Sequence, residues 1–232
     1  MHRDEAFVPM NQKKLFLQSE GDAWFQRNLP ALEAKNSFPD IDFLLSYLSP
    51  LKGENTKEKF NFLEIGCGSG HKTQFLAENL VCDGWGIDPS AQAIKYATSK
   101  FENNSSDASY KLNFSVGTAD DLTFTDNFFD FVYFGFCLYV VDRSLLSRTF
   151  AEADRVLRKG GFLGILDFDV LQQLERINKH HKDVKSFKDK HDEYFLKHGY
   201  YLVAKLSLTE AGNVGFETDP DKRVGLSLLY KP

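Results

Sequence analysis

Three glycines stand on alternate positions in Leu63-Glu64-Ile65-Gly66-Cys67-Gly68-Ser69-Gly70, between an apolar run and a helical pattern. Few backbones accommodate that arrangement. A buried strand must end, turn sharply and enter a helix, and glycine lets the turn pass close to a ligand with no Cβ in the way. Such turns lie at the carboxyl edge of a sheet, where open α/β folds bind ligands. The same glycines also serve a bare strand-to-helix connection, so the loop gains meaning only from its neighbours.

The neighbours alternate. Phe38, Ile41, Leu44, Leu45, Leu48 and Leu51 recur at helical spacing behind Pro39, and Pro50 with the polar run 52–59 ends that helix. Strands are expected at 59–65, 84–87, 110–116, 129–134 and 162–168. Helices are expected at 72–80, at 90–100 with Ser90 as N-cap, and at 144–157 with Gly160-Gly161 as its stop. Residues 171–181 have a helical pattern, and 200–208 with 224–230 read as two closing strands. The class is doubly wound α/β, a mostly parallel sheet with right-handed crossovers and an antiparallel C-terminal edge. The chain divides into an N-terminal helical segment, 1–58, and a core, 59–232, with a basic insertion at about 170–198.

Composition excludes several functions. With 28 Lys+Arg against 33 Asp+Glu, the net charge of −5 offers phosphates no general attraction, so no nucleic-acid partner is expected. The longest apolar run, 131–141, is too short to span a bilayer, and the mixed charges of residues 1–7 leave no secretory signal, so the expected compartment is the cytoplasm. Cys67, Cys82 and Cys137 are odd in number and far apart, which speaks against disulfides and a zinc site.

Further along, Gly86-Ile87-Asp88-Pro89-Ser90 ends the second strand on a carboxylate able to accept hydrogen bonds from both ribose hydroxyls, or to cap the next helix. Val116-Gly117-Thr118-Ala119-Asp120-Asp121 puts small and acidic groups at the third strand's end, either to face a purine edge or as an ordinary Asp-rich turn. The aromatic run Phe128-Phe129-Asp130-Phe131-Val132-Tyr133-Phe134-Gly135-Phe136 crosses the same edge. The dinucleotide fingerprint needs glycine at position 71, where His71 stands, which weakens a nicotinamide-dependent oxidoreductase reading.

In order and spacing these four places resemble the class I S-adenosylmethionine-dependent methyltransferases over residues 60–168, about half the chain. The resemblance implies a Rossmann-like methyltransferase fold, S-adenosylmethionine as cofactor and a small-molecule acceptor. It implies that Glu64 orients the methionine amino group through the loop, that Gly66, Cys67, Gly68 and Gly70 admit the aminopropyl chain, and that Asp88 holds the ribose. Thr118, Ala119 and Asp120 would flank the adenine, with Asp120 taking the N6 contact because the commoner acidic residue is missing at Thr118. Phe136 would sit near the sulfonium. A non-catalytic protein that keeps the fold to bind a partner is the other class open.

The segment Ser19-Glu20-Gly21-Asp22-Ala23-Trp24-Phe25-Gln26-Arg27-Asn28 looks like the N-terminal lid of small-molecule methyltransferases, including those of pseudaminic acid and other surface-glycan biosynthesis. There Arg27 would pair with the methionine carboxylate and Trp24 close over the cofactor, unless the helix merely packs on the core. Residues 179–191 carry five Lys and three His against two Asp, which suits a cap favouring an anionic or sugar-derived acceptor, or a solvated basic surface. If a hydroxyl is methylated, His181 is the chosen general base, with Lys188 nearby to hold the acceptor.

Overall fold

The computed structural model describes residues 11–49, 60–101 and 109–232. The helix stop assigned to Pro50 and 52–59, the strand start at 59, and residues 1–7 lie outside the described residues. Strands β1 (Asn61–Ile65), β2 (Asp83–Asp88), β3 (Leu112–Val116), β4 (Phe129–Gly135), β5 (Leu157–Phe168), β8 (Tyr201–Leu208) and β9 (Val224–Tyr230) form one sheet in the order β3-β2-β1-β4-β5-β9-β8. β6 (Leu174–Ile177) and β7 (Lys185–Lys188) pair separately. β1 to β5 are parallel, while β9 runs antiparallel to both β5 and β8. The fold is therefore the doubly wound, mostly parallel architecture with an antiparallel edge. Its order reverses between β1 and β4, the switch point at which such sheets open a crevice.

Both faces are covered, which is why the central strands are apolar throughout. On one face Phe131 and Tyr133 pack with Ile41, Leu44 and Leu48 of α3 (Pro39–Leu48) and Leu76 and Leu80 of α4 (His71–Leu80). On the other, Val132 and Phe134 meet Phe150, Ala153 and Val156 of α6 (Leu146–Val156) and Phe195 of α7 (Asp192–Lys197). Each fully buried side chain of this size contributes about 1.5–3 kcal/mol. Pro39 begins α3 at its first turn, and Ser90 Oγ accepts from Ala93 N at 3.0 Å to cap α5 (Ala91–Phe101).

The N-terminal segment is bound into this body. α1 (Gln12–Leu15) runs through a π turn, Phe16–Glu20, into α2 (Gly21–Ala34). Asp22 accepts hydrogen bonds from Ser90 Oγ at 2.6 Å and Gln92 N at 3.0 Å, so α2 starts against the head of α5. A Cβ on Gly21 would stand 2.7 Å from Phe16 O and 3.2 Å from Ser90 N, so only glycine permits the approach.

Two expectations change. Residues 171–181 are not helical: they carry β6 and the turn to β7, because Leu174 packs inward while Glu175 and Ile177 alternate outward and pair with Phe187 and Lys185. Gly160-Gly161 is not a helix stop. α6 ends at Val156 and β5 begins at Leu157, leaving both glycines inside the strand, where Gly160 at φ +72° lets its N–H reach Lys231 O at 2.8 Å.

Candidate functional site

At the switch point β1 ends in a turn with Gly66, Gly68 and Gly70 at φ +79°, +51° and +75°. Gly66 and Cys67 donate to Ile87 O at 2.8 and 3.0 Å, folding the loop onto β2. The three glycines serve different needs. A Cβ on Gly66 would meet the Cys137 side chain at 2.7 Å, and one on Gly70 would meet Ala97 and Phe114 below 3.0 Å. Nothing lies within 4 Å of a Cβ on Gly68, so that backbone faces open space.

Two cavities share Gly66. The first, about 210 Å³, takes in Glu64, Gly68, Gly135 and Phe136, with Trp24 and Leu208–Gly212 across from them. The second, about 80 Å³, is walled by Ile87, Pro89, Thr118, Ala119, Asp120 and Thr149, with Lys13 and Phe16 from the N-terminal segment. The Thr149 hydroxyl is buried and has no hydrogen-bond partner among the described residues. Asp88, in the wall of neither cavity, accepts from Gly68 N of the first at 3.0 Å through one oxygen and from Ser90 N at 2.9 Å through the other, and it precedes Pro89 of the second. The capping reading of Asp88 does not hold, because Ser90 caps α5 and Asp88 only bonds the N–H of that cap residue.

Burial dominates the electrostatics. Desolvation pushes the Glu64 carboxyl up to about 7, despite the nearby Lys72 and a 2.5 Å hydrogen bond from Thr73 Oγ1. Desolvation likewise raises Asp88 to about 6 against the pull of its two backbone hydrogen bonds. A cationic ligand group beside Glu64 would relieve this cost. The Cys67 and Cys137 thiols are driven well above their ordinary range by burial and neighbouring carboxylates, so neither is an activated nucleophile. On the floor of the first cavity Asp40 is held down, against its own burial, by Lys72 at 2.5 Å and by the Tyr133 hydroxyl at 2.7 Å.

Phe136 follows β4 at φ +68°, an angle costly for a residue with a Cβ, and its N–H bonds Leu166 O at 3.0 Å. That turn places its ring in the wall of the first cavity, against Tyr139 and Phe168. Trp24 lines the same cavity. Arg27 is outside both walls, its guanidinium paired at 2.5 Å with the buried Glu20.

Asp120 lies in the second cavity with its carboxylate 2.7 Å from Lys13. His181 and Lys188 line neither cavity. His181 is in the β6–β7 turn, where Nδ1 accepts from Asp183 N at 3.2 Å. The Lys188 ammonium donates to Asp221 O and lies 4.1 Å from the Phe168 ring centroid. The hairpin instead clamps α1. Gln12 Oε1 accepts from Lys185 N at 2.9 Å, and Nε2 donates to Lys185 O and Val140 O. Reading along the chain missed Lys35, Asp40, Thr149 and the 209–212 loop, since each stands far in sequence from the motif it joins here, and Lys72, whose partners Asp40 and Tyr133 are distant in the chain.

An S-adenosyl cofactor fits these residues: the open face of Gly68 leaves room for its chain, the orphaned Thr149 hydroxyl belongs to the wall of the smaller cavity, and the Asp88 carboxylate is bonded to Gly68. Comparison with known proteins agrees. Residues 63–165 match a family model described as a methyltransferase domain. Over 163 residues, 69% of this chain and 41% of the relative, the sequence is 28% identical to sterol 24-C-methyltransferase of Aspergillus fumigatus. A Gibberella zeae sterol 24-C-methyltransferase is 26% identical over 56% of this chain and 33% of its own length. The chain thus spans less than half of the curated relatives it matches. Among solved structures, the Burkholderia thailandensis 1,6-didemethyltoxoflavin-N1-methyltransferase, crystallised with 1,6-didemethyltoxoflavin and S-adenosylhomocysteine, superposes with TM-score 0.70 at 13% identity. That alignment covers 97% of this chain and 90% of the other. A geranyl diphosphate methyltransferase with S-adenosylmethionine gives 0.64 at 17% identity, over 94% and 95%.

Proposed function

We propose that this chain is a class I, S-adenosylmethionine-dependent methyltransferase, as the match of residues 63–165 to a methyltransferase-domain model supports, and that it methylates a small molecule held in its larger cavity. The cofactor supplies an activated methyl group on a sulfonium, so the protein's task is alignment and exclusion of water. Glu64 faces the amino group, Gly66 to Gly70 admit the chain, Asp88 accepts from the ribose hydroxyls, and Thr118, Ala119, Asp120 and Thr149 surround the base. Phe136 and Trp24 shield the reacting end. The observation that carries the reading is the pair of cavities that share Gly66, with Asp88 bonded to Gly68 of the first and followed in the chain by Pro89 of the second.

The wall formed by Phe38, Phe136, Leu166, Leu208 and Val224 favours an acceptor with an apolar body over a sugar-derived one. Since the basic segment bearing His181 and Lys188 holds α1 rather than lining this cavity, the reading assigns it no general base. The test is calorimetry with S-adenosylhomocysteine and NAD side by side, then a panel of apolar and sugar-derived acceptors with labelled cofactor. Binding of NAD with no response to S-adenosylhomocysteine would overturn the reading.

A further inference from the structure

The larger cavity opens outward between α2 and the 209–213 loop, where a surface groove shares Trp24, Leu32, Lys35 and Gly212 with it. Lys35 stands at that neck. It is the residue at which α2 ends in extended geometry, φ −81° and ψ 112°, so its side chain leaves the helix between groove and cavity. Its ammonium lies 5.8 Å from the Phe38 ring centroid, and a Cβ on Gly212 would stand 3.1 Å from Nζ. The passage is therefore fitted around a half-buried cation.

No carboxylate among the described residues lies within ion-pair distance of that cation. Of the charged groups facing the same cavity, Asp40 is engaged by Lys72 and Tyr133, Glu64 by Thr73, and His71 by Ser69 at 2.7 Å. Glu210 is exposed on the loop. Burial and the nearby Lys72 disfavour the charged form of Lys35, with Asp40 opposing them only in part, a cost that an incoming anion would offset. The rest of the wall is mostly apolar, with Ser69 and Thr209 as its uncharged polar members.

We propose that Lys35 is the specificity-determining residue at the neck of the acceptor cavity, selecting an acceptor with an apolar body and one anionic group, a carboxylate, phosphate or sulfonate. This rests on the methyl-transfer reading and places the anion preference at Lys35 rather than in residues 179–191. The methionyl carboxylate of the cofactor has the same chemistry, and the experiment separates the two.

Protein saturated with S-adenosylhomocysteine is titrated with anilinonaphthalene sulfonate and with uncharged phenylnaphthylamine, read by fluorescence. The parent and Lys35→Arg should bind the sulfonate at least tenfold more tightly than the amine, the scale of a charge-assisted hydrogen bond. Lys35→Met and Lys35→Gln should lose that preference, retaining amine binding, parental affinity for S-adenosylhomocysteine and a cooperative melt. Equal sulfonate affinity in parent and Lys35→Met would overturn the proposal. So would a loss of S-adenosylhomocysteine binding in Lys35→Met with methylthioadenosine, which lacks the carboxylate, unaffected, because Lys35 would then serve the cofactor. Failure of the parent to bind S-adenosylhomocysteine would overturn the methyltransferase reading instead, and titration of the ligand-free protein would still test the anion preference.

Discussion

In the proposed reading Gly68 and Asp88 carry opposite kinds of specificity, one by having no side chain and the other by having one whose oxygens already accept from Gly68 N and Ser90 N. A valine at position 68 would put branched carbon into the open space at φ +51°. Gly68→Val should abolish S-adenosylhomocysteine binding while costing the fold about 1–2 kcal/mol for the left-handed angle. Calorimetry and thermal unfolding on the same sample check both halves, and normal binding would remove the loop from the site. Asp88→Ala takes the acceptor from Gly68 N and Ser90 N as well as from a bound ribose. Affinity should fall by about 1–3 kcal/mol. The places of these two residues, though not their roles, were legible in the sequence because they are local: a strand end, a turn and a carboxylate at fixed spacing. Lys35 and Thr149 were not, since a lone lysine after a helix and a threonine inside one look ordinary until the loops that follow β8 and β3 line a cavity with them.

Elements show where local pattern misleads. Leu171, Leu174 and Ile177 stand three apart and imitate a helix face, yet the backbone pairs with 185–188, a partner that no local window contains. What the hairpin does is equally non-local. Through Gln12 it fixes α1, and α1 presents Lys13 to Asp120 and leads into the π turn whose Phe16 lines the smaller cavity. Gln12→Ala leaves Lys185 N–H and two carbonyls without these partners and should cost about 1–3 kcal/mol in unfolding free energy. It should also weaken S-adenosylhomocysteine binding by loosening the cover over the base. An unchanged affinity in the destabilised variant would show that α1 is structural only. His181→Gln, by contrast, alters an imidazole at the hairpin turn and should leave cofactor affinity unchanged and turnover within a few-fold. A loss of a hundredfold in turnover would restore His181 as the general base.

The molecule as a whole confines several ionisable groups, and their sum sets how stability follows pH. Glu64, Asp88 and Asp167 are raised to about 7, 6 and 7, each mainly by burial. A carboxyl whose folded pKa exceeds its unfolded one binds more protons in the native state. Stability is therefore lost as pH rises between the two values, by up to about 1.4 kcal/mol per unit for each group. His191 works against this. Its folded value is lowered to about 3 by burial and by Arg143, so it adds stability with rising pH only up to its ordinary range near 6.5. Asp40 and Asp192, held low by lysine partners, contribute fully above the ordinary carboxylate range and matter only in acid. From about pH 6 to 7 Glu64 and Asp167 lose their protons against only the fading opposition of His191 and His71, Asp88 having passed most of its window by pH 6, so the ligand-free protein should be more stable near pH 6 than at pH 8. Glu64→Gln should flatten that decline, since a neutral amide has no proton to lose. S-adenosylhomocysteine should flatten it too, because its amino group beside Glu64 favours the ionised carboxylate, and its affinity should rise across the same interval in the parent but not in the variant. Urea unfolding at pH 6, 7 and 8, with and without ligand, measures all three effects. A parent protein more stable at pH 8 than at pH 6 would mean that these carboxylates are better solvated than their burial implies.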